Sequence, residues 1–129
     1  MNWGNRVEFS KLVGKTLVRI EGAEVGSERI EFFEKDGEEY VLYHSHDCCE
    51  SVSVEDICGD IADLLNTPIL AAEEAESDTN PEGVKVPDYQ DSFTWTFYKL
   101  STIRGSVTIR WYGSSNGYYS ERARFEKVV

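Results

Sequence analysis

Both histidines of the chain and two of its three cysteines fall within nine residues, Tyr43-His44-Ser45-His46-Asp47-Cys48-Cys49-Glu50-Ser51. Imidazoles two positions apart on a strand share a face. His44 and His46, with Cys48 or Cys49 and the distant Cys58, therefore contain the donor types of a zinc site. A structural zinc site draws paired ligands from two separated places, however, and Cys58 stands alone, so no metal is expected. A thiol beside a histidine is also the start of a cysteine nucleophile. No oxyanion hole, orienting group or nucleophile elbow accompanies this one. The carboxylates Asp47, Glu50, Glu55, Asp56, Asp60 and Asp63 lack the spacing of a calcium loop. The segment reads as a polar wall, with His44, His46, Asp47 and Glu50 facing a ligand, in a protein that is not an enzyme and needs no cofactor.

A second set surrounds the turn in Arg110-Trp111-Tyr112-Gly113-Ser114-Ser115-Asn116-Gly117-Tyr118-Tyr119-Ser120-Glu121-Arg122. Guanidinium groups pair with phosphates and flat rings stack on bases. Arg110, Tyr112, Asn116 and Tyr118 are the residues expected to choose a ligand. Tyr, Trp and Arg also dominate protein interfaces, and the plain alternative is an aromatic sheet with an exposed turn. Arg19, Arg104 and Arg124 add positive charge on neighbouring strands, and clustered arginines in so acidic a chain would mark an anion site.

Local patterns predict the elements that must position these groups. Residues 6–13 predict a short helix. Alternating apolar residues from Leu17, from Arg29 and from Tyr40 predict three strands, the last two joined at Asp36-Gly37, where positive φ is tolerated. Ser53 with Asp56 resembles a capping box, and Val54, Ile57, Ile61, Leu64 and Leu65 recur at steps of three and four. Together they predict a central helix over about 53–66, ended by Asn66 and Pro68. A short strand is expected over 69–72. The stretch over about 74–91 is acidic and poor in apolar groups, and is expected to be a mobile loop. A second meander follows, with strands over 92–102 and 107–112 and a return over 118–128 beyond the Asn116-Gly117 turn. The expectation is one α+β domain over 1–129, in which two three-stranded antiparallel meanders form a sheet or partial barrel under one helix.

The chain carries 24 acidic and 13 basic residues, for a formal charge of -11. Long-range repulsion then argues against direct binding to nucleic acid or to an anionic membrane. No run of 18 apolar residues predicts a spanning helix. The first six residues lack an apolar signal core, so a cytosolic protein with reduced thiols is expected. A disulfide between neighbours such as Cys48 and Cys49 is strained and rare.

The motifs His46-Asp47-Cys48-Cys49-Glu50-Ser51-Val52, Glu55-Asp56-Ile57-Cys58-Gly59-Asp60, Thr94-Trp95-Thr96-Phe97-Tyr98-Lys99-Leu100 and Val107-Thr108-Ile109-Arg110-Trp111-Tyr112-Gly113, with Ser115-Asn116-Gly117-Tyr118-Tyr119-Ser120, resemble a small uncharacterised family of bacteriophage and prophage proteins. The resemblance covers roughly residues 12–126. It implies the cytoplasm of an infected bacterium and an accessory role against host defence, and it carries no reaction or site. Two partner classes follow. One is a nucleotide-type immune signal, which the protein would sequester. The other is a host nuclease such as a CRISPR effector, whose basic groove an acidic nucleic-acid mimic would occupy. The aromatic strands also suit a homo-oligomer.

Overall fold

In the computed structural model, residues 5–46, 49–81, 92–117 and 120–128 are described. The strands are β1 (Asn5–Arg6), β2 (Leu17–Glu21), β3 (Arg29–Glu34), β4 (Glu39–Tyr43), β5 (Ser51–Cys58), β6 (Ala71–Ser77), β7 (Ser92–Thr102), β8 (Gly105–Ser115) and β9 (Arg124–Lys127). They form two antiparallel sheets, ordered β1-β9-β4-β3-β2 and β5-β8-β7-β6. The fold is mostly β, not α+β.

The central helix expected over 53–66 is replaced by β5 and a short 3-10 turn at Ile61–Leu64. The cause is a bulge between Val54 and Asp56 in the pairing of β5 with β8. One extra residue converts the two-residue step of a strand into an apparent three. Val52 and Val54 are buried, and Ile57 packs against the core from the far side of the bulge. The sequence thus shows helical spacing although Val54 and Ile57 are strand-borne and Ile61 and Leu64 sit on the 3-10 turn. Gly59, at φ +109°, then turns the chain where a Cβ would lie 2.5 Å from the Ser106 carbonyl. The capping residue is Asp60, whose Oδ1 accepts from the Ala62 N–H at 3.0 Å; it caps the 3-10 turn.

Three further expectations change. The acidic stretch over 74–91 begins within β6, so residues 74–77 are strand; residues 82–91 lie outside the described residues. Glu73, Glu74 and Glu76 occupy a sheet edge, where charge discourages pairing with another chain. The return over 118–128 is not the third strand of a second meander. Its strand, β9, leaves β8 and pairs with β4 and β1 in the other sheet. Residues 6–13 contain one 3-10 turn, Phe9–Leu12, in place of a helix.

One hydrophobic cluster joins the sheets. Ile30, Phe32, Tyr40, Leu42 and Phe125 face Val52, Val54, Tyr98, Leu100, Ile109 and Trp111. Phe9 bridges them edge-on, 5.0 Å from Tyr98 and 5.1 Å from Phe125 between ring centres. Opposite Trp111 on the neighbouring strand sits Thr96, 1% exposed. Its hydroxyl, like the Trp111 Nε1–H, has no hydrogen-bond partner among the described residues. A buried polar group without a partner is costly, so Thr96→Val should raise stability by about 1 kcal/mol. The urea midpoint would test this, and a lower midpoint would show that the hydroxyl is satisfied.

Candidate functional site

The described chain passes between the sheets twice. The first passage, residues 44–50, leads from β4 to β5; the second, residues 116–123, leads from β8 to β9. His44 ties them together. Its Nδ1 lies 3.0 Å from the Arg122 carbonyl, and its Nε2 lies 3.1 Å from Glu50 Oε2. A carbonyl only accepts, so Nδ1 carries a hydrogen. Side-chain exposure is 2% for His44 and 0% for Glu50, so this pair works away from water. His46 Nε2 donates to the Glu50 carbonyl at 2.9 Å, while its ring is half exposed. The three residues come together on an irregular passage and not on a strand, because β4 ends at Tyr43. Cys49 is disulfide-bonded, contrary to the expectation of reduced thiols, with its partner outside the described residues. Cys58 is free and exposed. Among the described residues, no three His, Cys, Asp or Glu side chains gather as metal ligands.

The second passage is pinned down by Glu121. Thr94 Oγ1 donates to its Oε1 at 2.8 Å and Ser115 Oγ to its Oε2 at 2.6 Å. Burial pushes this carboxyl up, but the hydroxyls of Ser115, Ser92 and Thr94 and the nearby Arg122 reverse that and leave it below the ordinary range. Gly113 lies directly beneath, and a Cβ there would overlap the Glu121 carbonyl and come 2.9 Å from its Cα.

Around these two passages lies a cavity of about 420 Å³, lined by Arg6, His44, Ser45, Ser120, Arg122 and Arg124, with Ala123. Three arginines line it and, among the described residues, no carboxylate does, in a chain of charge -11. Arg122 pairs with Glu76 across the surface, with 59% and 38% of the side chains exposed. So exposed a pair is worth at most about 1 kcal/mol, and an incoming anion could displace it. A larger cavity of about 850 Å³ adjoins, but there Glu8 and Glu74 balance Arg6 and Lys11. Burial, with Glu76 nearby, pushes the Glu74 carboxyl up.

The other expected ligand residues lie apart from this cavity. Arg110 forms a two-pronged pair with Asp56. Its neighbours Ile109 and Trp111 are in the core, so Arg110 is on the outer face of the second sheet. Tyr112 shares that face, its ring 4.9 Å from Trp95 and 6.0 Å from Phe93. Asn116 is exposed at the turn. Asp47 and Tyr118 lie outside the described residues. Of the cavity's arginines, Arg122 and Arg124 were visible in the sequence as basic residues near the turn, whereas Arg6 carried no signal there.

A family model for a domain of unknown function, DUF7448, matches residues 10–125. The chain belongs to that family. No curated protein and no solved structure matches the DUF7448 chain. Among its described residues, no helix is long and apolar enough to cross a membrane.

Proposed function

We propose that this DUF7448 chain is a non-enzymatic binding protein that sequesters a small nucleotide-type anion, with the phosphate seated among Arg6, Arg122 and Arg124. The observation that carries the reading is three arginines around a cavity with no carboxylate among its described lining residues, in a protein with nearly twice as many acidic as basic residues. A cavity of about 420 Å³ falls within the range that holds small ligands. The bidentate fork of arginine suits phosphate. The resemblance to phage proteins supplies the setting, in which the ligand is an immune signal of the infected host and the protein works in its cytoplasm. The rival reading, an acidic mimic that blocks a nuclease, leans on the acidic stretch. Part of that charge already has a role at the β6 edge, which favours the anion-binding reading.

A ligand that binds only the folded state raises the melting temperature by mass action. Adding a panel of adenine and uridine nucleotides should raise the melting temperature of the wild type, and Arg122→Ala with Arg124→Ala should abolish the gain. If no phosphate compound moves the melting temperature, the reading fails. If a basic host nuclease is captured in a salt-sensitive way instead, the rival replaces it.

A further inference from the structure

The arginine cavity shares wall residues with two neighbouring cavities. Ser120 and Arg122 also line a chamber of about 170 Å³ with Ser92, Thr94 and Glu121. On the other side, Arg6 and Ala123 also line the 850 Å³ cavity. Three chambers therefore follow one another along residues 120–125, with the cationic one in the middle. We propose, building on the anion-binding reading above, that the ligand is a nucleotide with its phosphates in its centre: a nucleoside diphosphate joined to a sugar.

Each chamber selects by its chemistry. The smallest has the hydroxyls of Ser92, Thr94 and Ser120 beside the Glu121 carboxylate. A carboxylate repels phosphate and accepts hydrogen bonds from hydroxyls, and Ser115, Ser92 and Thr94 together use three of the about four lone pairs that the Glu121 carboxylate offers, leaving one for an incoming hydroxyl. A sugar suits this chamber, and a terminal phosphate does not. The middle chamber offers guanidinium forks, which suit a diphosphate. The largest sets Glu8 and Glu74, as acceptors, and Lys11, as a donor, around Val7 and the ring edges of Phe9 and Phe125. Acceptors and donors over an apolar floor suit a heterocyclic base with its own N–H groups and ring nitrogens. A ligand with phosphate at one end would leave either the sugar chamber or the base chamber empty.

The test compares ADP with ADP-ribose, and UDP with UDP-glucose, by calorimetric titration of the full chain. At least one conjugate should bind about tenfold tighter than its parent diphosphate. Ser92→Ala and Glu121→Gln should bring that ratio down to about one. Two variants are used because Glu121 also anchors the passage and its change could unfold the protein; Ser92 sits at the chamber wall. If the diphosphates bind and neither conjugate binds more tightly, the three-chamber proposal is overturned while anion binding stands. If neither the diphosphates nor inorganic pyrophosphate binds, the anion-binding reading falls as well.

Discussion

Glu50→Ala is expected to cost about 3–5 kcal/mol of folding stability, among the largest effects of any side-chain truncation in this chain. Removing one member of a buried, hydrogen-bonded ionisable pair leaves the other desolvated and uncompensated. Here the abandoned partner is His44, with 2% of its side chain exposed and its other nitrogen already committed to the Arg122 carbonyl. The loss should depend on His44 being present. In a double-mutant cycle, Glu50→Ala in a His44→Leu background should cost far less, giving a coupling energy above about 1 kcal/mol. Urea denaturation of the four proteins measures it. A coupling energy near zero would mean that the two side chains are held independently.

Gly113→Ala should destabilise by about 3 kcal/mol or more, although it adds only a methyl group. The new carbon would overlap the Glu121 backbone, which has little freedom to retreat. Thr94 and Ser115 pin the Glu121 side chain from below, and the Arg122 carbonyl is held by His44 from the other side. If the segment lifts instead of the fold failing, Arg122 and Arg124 move with it and nucleotide binding is lost. Melting and binding measured on the same variant separate these outcomes. A variant with wild-type stability and binding would show that the segment does not sit on Gly113.

The hairpins were legible because their chemistry is local. Asp36-Gly37, with Gly37 at φ +97°, joins β3 to β4, while the β7–β8 turn is Ile103-Arg104, with Gly105 already paired to Thr102. The helix over 53–66 was misread because a bulge at Glu55 imitates helical spacing, and only the pairing with β8 reveals it. The placement of β9 was hidden for another reason. Nothing in Arg124–Lys127 distinguishes a strand that returns beside β8 from one that crosses to β4; contacts with Val41, Leu42 and Tyr43, far off in sequence, decide it. The same crossing brings Arg122 and Arg124 to His44. His44, His46 and Glu50 stand out in the sequence by residue type, and Arg122 and Arg124 as basic residues near a turn, but that these groups meet, with Arg6 beside them, follows only from the topology.

The two passages between the sheets run side by side, so the sheets resemble leaves bound along one spine. Anything gripped at the spine resists the opening of both leaves together. Ligand capture should then slow amide hydrogen exchange in β3 and β7 alike, although neither carries an arginine of the cavity. Protection confined to the strands of one sheet would instead mean that each leaf opens on its own.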